Sequence, residues 1–374
     1  MKARGAVLRQ MGLPSPYSES RPLELAEVEL DPPGEGELLV RVGAAGLCHS
    51  DLSVIDGSRP RVMPMLLGHE AAGEVVETGP GSTGFAVGDH VVLAFVPSCG
   101  ECGPCRAGRA ALCEPGAAAN TAGTLLSGAH RIHGENGEVL NHHLGVSCFA
   151  DHIVVSQHSA VRVDPELPVE VAALFGCAVL TGVGAAVNSA QVGVGDRVAV
   201  FGLGGVGLAA LLGARVAGAA ELIAIDVVPE KLALAAELGA THTLAAGDET
   251  VGQIRELTGG GAEKVIETVG NERVLGQAYA ATRRGGTTVS VGLPHPDRML
   301  SIPAVSLVAE ERTLKGSYLG SCVPERDLPR FIEMYREGRL PVDRLLTHRI
   351  SLDEVNEGFD RLARGEAVRQ AIVF

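Results

Sequence analysis

The sequence predicts an α/β protein with two domains, an irregular β domain followed by a doubly wound parallel sheet. With 374 residues, the chain exceeds the usual size of a single compact core. Short Val-rich runs separated by Gly and Pro occupy residues 1–178, and from about residue 192 apolar runs alternate with Ala/Leu-rich helical patterns. Strands that alternate with helices indicate parallel pairing through right-handed crossovers.

The first domain, residues 1–178, is predicted from apolar runs bounded by turn residues. Its strand candidates include residues 38–42, 73–76 and 90–93. Residues 114–145 are Gly-rich and weakly periodic, so we interpret them as a long loop.

The second domain, residues 179–320, begins its alternating pattern with a short buried strand at residues 197–201. A glycine turn and an Ala/Leu-rich helix follow. Further strands are predicted at residues 222–226, 241–244, 264–268, 287–291 and 313–317.

The C-terminal residues 321–374 leave this pattern. Helices are predicted near residues 324–337 and 352–364, and a final strand at 371–374. We expect this segment to return to the first domain.

Charge and hydropathy narrow the class of partner. The net charge is −14, and no dense Lys/Arg cluster offsets it, which argues against a nucleic-acid groove. The first twenty residues lack the apolar core of a signal peptide, and no stretch approaches ~20 uncharged apolar residues. We therefore expect a cytoplasmic protein with small-molecule partners and no membrane association.

Six of the eight cysteines form two patterns typical of zinc sites. Because thiols in the cytoplasm stay reduced, we interpret these cysteines as metal ligands rather than as disulfides. A closed structural site is predicted from the C-x2-C-x2-C-x7-C run of Cys99, Cys102, Cys105 and Cys113. Cys48, His69 and Cys177 offer three ligands and leave a fourth position open for chemistry. We interpret the remaining Cys148 and Cys322 as buried apolar residues.

A glycine-rich turn indicates a dinucleotide site. The motif G-x-G-x-x-G follows the strand at 197–201 and opens a helix, and its residues are Gly202, Gly204, Gly205, Val206 and Gly207. Such glycines let the backbone approach a pyrophosphate. Asp226 ends the next strand, where a carboxylate accepts hydrogen bonds from ribose hydroxyls and repels a 2'-phosphate. This favours NAD over NADP, with Lys231 as a further ribose contact.

Residues next to the open zinc site are candidates for specific chemical roles. An open zinc beside a hydride carrier predicts interconversion of an alcohol and a carbonyl. Ser50 can take the hydroxyl proton of the substrate, and Asp51 can hold the ring of His69. His49 is a candidate contact for the cofactor pyrophosphate, and Glu70 a candidate alternate or outer ligand behind the zinc.

Taken together, these segments resemble the zinc-dependent alcohol dehydrogenases of the medium-chain dehydrogenase/reductase superfamily. The matching pieces span nearly the whole chain in family order: residues 46–51, 68–70, 99–113, 176–177, 181–182, 202–207, 226, 291–294 and 369. Two cysteines and a histidine are the known catalytic zinc ligands of alcohol dehydrogenase. The resemblance implies a GroES-like catalytic domain with both zincs, a Rossmann NAD-binding domain and a C-terminal return to the catalytic domain.

The resemblance also implies roles for further individual residues. It places Phe95 in the substrate pocket. It implies cofactor contacts for Thr181 and Val206 beside the nicotinamide, for the backbone from Val291 to Leu293, and for Arg369 at the pyrophosphate.

Within the family, the long 114–145 segment and the run Cys-His-Ser-Asp resemble the longer, class III-like enzymes, so we expect a homodimer. Two features depart from the family pattern. Ser53 stands where many members have the histidine that ends a proton relay. The loop at residues 56–63, with Arg59 and Arg61, lacks the acidic pattern of glutathione-adduct recognition. A free alcohol or aldehyde is therefore the expected substrate.

Three hypotheses of different class remain. The first is an NAD-dependent dehydrogenase of primary or small secondary alcohols, and the alternative is a thiol-adduct (S-hydroxymethyl) formaldehyde dehydrogenase. A non-catalytic dinucleotide-binding protein is disfavoured by the complete set of three zinc ligands. A zinc-free quinone reductase is excluded, since it needs neither cysteine pattern.

Other polar residues receive no catalytic role. Four histidines in the long segment are interpreted as solvated loop residues rather than a third metal site: His130, His133, His142 and His143. We interpret His152 and His158 as packing or surface residues, and Glu263 and Glu267 as residues of strand ends and turns.

Overall fold

A computed structural model describes all residues, 1–374. The first ten strands, in chain order, are β1 (Lys2–Leu8), β2 (Leu23–Leu30), β3 (Glu37–Leu47), β4 (Met65–Leu66), β5 (Ala71–Thr78), β6 (His90–Leu93), β7 (Ile132–His133), β8 (Val139–His142), β9 (His152–Ser156) and β10 (Ala160–Val163). The remaining strands are β11 (Arg197–Phe201), β12 (Glu221–Asp226), β13 (His242–Ala245), β14 (Ala262–Glu267), β15 (Thr282–Ser290), β16 (Thr313–Gly316), β17 (Leu346–Ile350) and β18 (Arg369–Val373).

The α-helices are α1 (Tyr17–Ser20), α2 (His49–Ile55), α3 (Gly103–Arg106), α4 (Glu114–Ala122), α5 (Val169–Leu174), α6 (Leu180–Gly184), α7 (Gly205–Val216), α8 (Pro229–Glu237), α9 (Thr250–Thr258), α10 (Glu272–Ala281), α11 (Ala304–Ala309), α12 (Pro324–Arg336) and α13 (Val355–Ala363). Two π-helical turns flank α6, at Phe175–Val179 and Ala185–Ser189. Short 3-10 turns lie at Ala110–Leu112, Gln157–Ser159, Leu319–Ser321, Val342–Leu345 and Leu352–Glu354.

The chain divides into two compact units. The first comprises Met1–Cys177, Val323–Arg330 and Leu346–Phe374, and the second Ala178–Cys322 and Phe331–Leu345. The division differs from the boundaries expected from sequence by one or two residues at the ends of the first two domains, and by more in the C-terminal segment. Residues 331–345 group with the second unit, although the sequence pattern assigned them to the C-terminal return.

The first unit contains a closed barrel and a second sheet. The barrel order is β1-β2-β7-β8-β4, and the second sheet has the order β10-β6-β5-β3-β18-β17, with β9 paired to β3. In this sheet β18 pairs antiparallel with β3, so the last strand of the chain completes the sheet that carries Cys48 at its end. Apolar side chains from both sheets and from α13 form one buried core.

The interpretation of residues 114–145 as a long loop is wrong. This segment forms α4 and then β7 and β8, and the two strands close the barrel between β2 and β4. Both strands are short, and their alternating residues give little periodicity. Pairing with strands distant in sequence stabilises them, which a local pattern does not reveal.

The second unit contains a six-stranded sheet with the order β13-β12-β11-β14-β15-β16, in which all neighbouring pairs are parallel. The helices α7, α8, α9 and α10 alternate with the strands along the chain. Reversal of strand order at β11 and β14 is the doubly wound arrangement of a Rossmann fold. The predicted α/β fold class is confirmed.

One helical run, Val169–Ser189, is long and apolar enough by composition to cross a membrane. Its most apolar window is 89% buried inside the protein. The apolar composition of this helix is therefore accounted for by its burial in the core, where an apolar surface is excluded from water.

Asp360 joins the C-terminal helix α13 to the N-terminal helix α1. Its carboxylate accepts hydrogen bonds from the backbone N–H groups of Tyr17, at 2.6 Å, and Ser18, at 2.9 Å. Burial acts to raise the pKa of Asp360, but the bonds from Ser18 and Tyr17 outweigh it and lower the pKa. This contribution to stability is therefore present above the pKa of an unfolded Asp and is lost as the pH falls through the folded pKa.

Replacing Asp360 by Ala removes the acceptor for both N–H groups. We expect the free energy of unfolding to fall by about 2 kcal/mol, measured by urea denaturation at pH 7. The control is Asp353→Ala, because Asp353 is exposed and forms a surface ion pair with Arg4. Equal stability of the two variants would contradict the assigned role of Asp360.

Candidate active site

Three separate segments of the first unit bring Cys48, His69 and Cys177 together. Cys48 follows β3, His69 follows β4, and Cys177 lies in the π-helical turn Phe175–Val179. Their ligand atoms all lie within 4.8 Å of one another, and all three residues are buried. Single π-helical turns are frequent at functional sites, because the extra residue redirects a side chain.

Glycines make this approach possible at two positions. Gly68, just before His69, has a φ of +91°, and a Cβ there would lie 2.6 Å from the backbone nitrogen of Phe149. A Cβ on Gly46 would lie 2.2 Å from Oε1 of Glu70. A larger residue at Gly68 would push its segment away from Phe149, and one at Gly46 would displace the side chain of Glu70.

The ring of His69 is oriented by Asp51. Nδ1 of His69 lies 2.9 Å from Oδ1 of Asp51, and both side chains are almost fully buried. Nε2 of His69 is also buried and has no hydrogen-bond partner. An imidazole whose Nδ1 donates to a carboxylate presents the lone pair of Nε2, which is the arrangement that metal-binding histidines adopt. The donor set therefore fits zinc.

The three candidate ligands shift one another's pKa in different directions. Burial acts to lower the pKa of His69, but Asp51 raises it well above its usual value. Hydrogen bonding to Cys177, together with His69, lowers the pKa of Cys48 well below its ordinary value, whereas the pKa of Cys177 is raised. Zinc ligands are thiolates and neutral imidazoles, so binding of a metal dication at these three residues would release protons.

Glu70 and Arg369 form a buried ion pair beside this cluster. Burial raises the pKa of Glu70 even though Arg369 opposes the shift. The sequence suggested Glu70 as an outer ligand and Arg369 as a pyrophosphate contact, and it did not suggest that the two side chains pair. Two buried charges that compensate each other in this way fix the position of β18 relative to the loop that carries His69.

The interpretation of His142 and His143 as solvated loop residues is wrong, because both are buried. Nε2 of His142 accepts a hydrogen bond from the backbone N–H of Arg131, and burial lowers the pKa of His142 to about 3. Nε2 of His143 lies 3.3 Å from Oδ1 of Asp51. No local pattern marks His143, because its contact with Asp51 exists only in the folded unit.

The other two histidines of this segment are half-buried and have partners away from the cluster. His130 contacts Asn141, and His133 lies 2.9 Å from a carboxylate oxygen of Asp31. His152 lies beside Asp151. None of the three belongs to the Cys48 cluster.

Phe95 is buried beside the cluster, with its ring centroid 5.5 Å from that of His69 in an edge-to-face arrangement. Ser50 is half-buried and His49 exposed, both in the first turn of α2. The hydroxyl of Ser53 donates to the backbone oxygen of His49 at 2.8 Å. Ser53, which stands at the position of the relay histidine of many family members, thus directs its own proton to the backbone of α2.

The second cysteine cluster also lies in the first unit. The sulfur atoms of Cys99, Cys102, Cys105 and Cys113 all lie within 4.8 Å of one another, and none forms a disulfide. Backbone N–H groups of Cys99 and Gly116 donate to the sulfur of Cys113, each at 3.3 Å. Hydrogen bonds from the backbone of Cys105 and of Glu114 lower the pKa of Cys102 to about 7. Four sulfur ligands without an open position fit a structural zinc.

In the second unit, the glycine-rich turn joins β11 to α7. Gly202 has a φ of +87°, and a Cβ on Gly207 would lie 1.8 Å from the carbonyl oxygen of Gly202. A Cβ on Gly204 would meet nothing within 4 Å. The backbone conformation and packing therefore require glycine at Gly202 and Gly207. Gly204 instead leaves open space at a helix N-terminus, where a pyrophosphate binds in Rossmann folds.

Asp226 ends β12 and holds this turn in place. Its Oδ2 accepts a hydrogen bond from the backbone N–H of Leu203 at 2.6 Å, and its Oδ1 accepts one from Val228 at 2.9 Å. Each carboxylate oxygen has a further lone pair for a ribose hydroxyl. Lys231 lies half-buried on α8.

The remaining residues expected near the nicotinamide differ in exposure. Thr181 is buried in α6, and its hydroxyl has no hydrogen-bond partner. Val206 is half-buried in the first turn of α7, and Val291 is buried after β15, whereas Leu293 is 45% exposed.

Two family models match the chain. The alcohol dehydrogenase GroES-like domain matches residues 34–165, and the zinc-binding dehydrogenase domain matches residues 205–337. Over 377 residues the chain is 41% identical to the NDMA-dependent alcohol dehydrogenase of Amycolatopsis methanolica, covering 100% of this chain and 99% of that protein. It is 37% identical, with full coverage of both chains, to the S-(hydroxymethyl)glutathione dehydrogenase of Synechocystis sp..

A solved structure gives the same result. The crystal structure of benzyl alcohol dehydrogenase from Acinetobacter calcoaceticus superposes with a TM-score of 0.92 at 32% identity, covering 100% of this chain and 99% of that one. The chain belongs to the zinc-binding alcohol dehydrogenase family of the medium-chain dehydrogenase/reductase superfamily. It is therefore an oxidoreductase that acts on alcohols, and the family resemblance seen in the sequence is confirmed.

The open space at Gly204 yields a test of the dinucleotide site. In Gly204→Ala the new methyl group fits the folded protein but occupies the space left for a ligand. We expect unchanged thermal stability and a dissociation constant for NADH raised at least about tenfold, measured by fluorescence titration.

The matched control is Gly252→Ala, which adds a methyl group in similarly open space on α9. Its NADH affinity should equal that of the wild type. If Gly204→Ala also binds NADH as the wild type does, the pyrophosphate does not lie against this turn.

Proposed function

We propose that this enzyme interconverts primary or small secondary alcohols and their aldehydes or ketones, with zinc at Cys48, His69 and Cys177 and with NAD as the hydride acceptor. The observation that carries the proposal is the buried cluster of two sulfur atoms and the unpartnered Nε2 of His69. Zinc bound there supplies a Lewis acid that lowers the pKa of an alcohol.

The surrounding side chains have distinct tasks in this proposal. Asp51 keeps Nδ1 of His69 protonated, so that Nε2 stays available as a ligand. Ser50, half-buried at the start of α2, relays the hydroxyl proton of the substrate: it accepts that proton while its own hydroxyl proton passes toward the cofactor ribose. Phe95 supplies an apolar wall beside His69, which favours a substrate with an apolar group next to the reacting carbon.

The proposed coenzyme site uses the glycine-rich turn and Asp226. Gly204 leaves space for the pyrophosphate, and the carboxylate of Asp226 favours ribose hydroxyls over a 2'-phosphate. Thr181 and Val206 are assigned to the nicotinamide, as are the backbone groups from Val291 to Leu293. The remaining proposed contacts are His49 and Arg369 at the pyrophosphate and Lys231 at the ribose.

A second zinc is assigned to the cluster from Cys99 to Cys113, where four sulfur ligands leave no position for a substrate. This zinc stabilises the segment that carries the four cysteines and takes no part in the reaction. The proposal therefore gives two zinc ions per chain.

We also propose that two copies of the chain form a homodimer in the cytoplasm. The strand β16 lies at one edge of the parallel sheet, and the nearby helix α11 exposes Val305 and Val308 at 71% and 82%. An unpaired edge next to exposed apolar side chains is suited to pairing with a second copy.

The alternative function is oxidation of a thiol adduct of formaldehyde. It is supported by the 37% identity to a relative named S-(hydroxymethyl)glutathione dehydrogenase. The loop at residues 56–63 argues against it, because Arg59 and Arg61 replace the acidic pattern expected for glutathione recognition.

The central experiment measures zinc per chain together with NADH formation over a panel of alcohols. The panel includes benzyl alcohol, and separate arms contain formaldehyde with and without a low-molecular-weight thiol. NDMA is included as an electron acceptor, because a similar protein is named for it. We expect two zinc ions and thiol-independent turnover, with Cys48→Ser retaining one zinc ion and no activity.

Each other outcome has a definite meaning. Activity confined to the thiol arm supports the alternative function. Turnover with NDMA but without NADH release shows that NAD is not the acceptor that is bound and released in each turnover. Full activity in Cys48→Ser contradicts the proposed zinc ligands.

Asp226→Asn tests the proposed coenzyme preference. The amide removes the negative charge that repels a 2'-phosphate, so we expect the ratio of kcat/KM with NAD to that with NADP to fall at least about tenfold. The control is Asp248→Asn, which removes an exposed charge in the same unit. Equal ratios in the two variants would show that other residues set the preference.

A further inference from the structure

His143 is a buried histidine that contacts the candidate active site without belonging to the proposed zinc ligands. We propose that His143 is a positioning residue that holds Asp51 in the orientation needed to align His69, and that it thereby slows release of the zinc at Cys48 and Cys177. The inference rests on the proposed function, because it takes these residues as the ligands of the catalytic zinc.

The geometry places two imidazoles on one carboxylate oxygen. Oδ1 of Asp51 lies 2.9 Å from Nδ1 of His69 and 3.3 Å from Nε2 of His143. The two rings stand nearly perpendicular, at 73°, with their centroids 5.7 Å apart. Nδ1 of His69 forms a hydrogen bond with that oxygen. Nε2 of His143 lies within ion-pair distance of the same oxygen but does not form a hydrogen bond of good geometry with it.

Asp51 depends on these two partners. Its side chain is fully buried, and Oδ2 has no hydrogen-bond partner. The terminal torsion of an Asp side chain is broad and roughly two-fold, so a carboxylate held by one bond can exchange its two oxygen atoms. The ring of His143, 3.3 Å away on the side of Oδ1, favours the orientation in which that oxygen faces His69. A buried carboxylate also requires such compensation of its charge.

The backbone around His143 is built to hold this position. His143 opens a tight turn in which Leu144, Gly145 and Ser147 have φ values of +52°, +70° and +54°. The hydroxyl of Ser147, itself fully buried, accepts a hydrogen bond from the backbone N–H of His143 at 2.7 Å. Non-glycine residues seldom adopt this conformation, and it persists where the surrounding structure demands it, often at functional sites.

The test compares His143→Leu with His143→Gln, because Gln retains an N–H donor at the end of its side chain and Leu does not. The matched control is His142→Gln, which alters the adjacent buried histidine that accepts from Arg131 and does not contact Asp51. For each purified full-length variant, the release of both zinc ions to a chromogenic chelator is followed over time. The thermal midpoint is recorded as well.

The zinc ion of the active site is identified with Cys48→Ser, which retains only the structural zinc and so gives the release rate of that site alone. Cobalt is also substituted at the active site, and its visible absorption reports ligand geometry independently of activity. We expect His143→Leu to release the active-site zinc about tenfold faster, within the range known for partners of metal-binding histidines. Its cobalt spectrum should change, whereas His143→Gln should recover most of the wild-type behaviour.

The outcomes separate this inference from the proposed function. Wild-type protein that holds only one zinc ion contradicts the proposed function, and the inference fails with it. Two zinc ions with an unchanged release rate in His143→Leu contradict the inference alone. Equally faster zinc release in His142→Gln, or faster release of both zinc ions in His143→Leu, shows a general loss of packing. Either result also contradicts the inference.

Discussion

Close approach of three backbone segments is the constraint on which the candidate active site depends. The segments carry Cys48, His69 and Cys177, and each has a glycine next to or near the ligand. A Cβ on Gly176 would lie only 2.4 Å from the carbonyl oxygen of Leu93, and Gly68 requires a positive φ as well as space. Because the ligands come from a strand end, a loop and a helix of one unit, the cluster forms only when that unit is folded.

Burial of charge is the second constraint. Asp51, His69, Glu70 and Arg369 are all at least 96% buried, and an unpaired charge in such surroundings is strongly unfavourable. Each of these groups has a partner of complementary charge or hydrogen-bonding capacity. The pairing restricts the orientation of the side chains, so the ring of His69 is fixed by its carboxylate partner as well as by its own backbone.

Much of the architecture could be predicted from sequence because its signals are local. The strand Arg197–Phe201 has the predicted bounds, and the other five parallel strands were predicted to within a few residues at most ends. The largest difference is β15, which begins at Thr282 rather than at residue 287. The segment from residue 114 to 145 was misjudged because β7 and β8 are short and are stabilised by pairing with β2 and β4.

The sequence by itself determined the types and spacing of the candidate zinc ligands and the position of the glycine-rich turn, because those patterns reflect chemistry that few other residues can supply. Only the tertiary structure decided that His143 lies against Asp51 and that Glu70 pairs with Arg369. Both contacts join residues far apart in the chain. They depend on how the barrel and β18 fold around β3, and no short window of sequence contains that information.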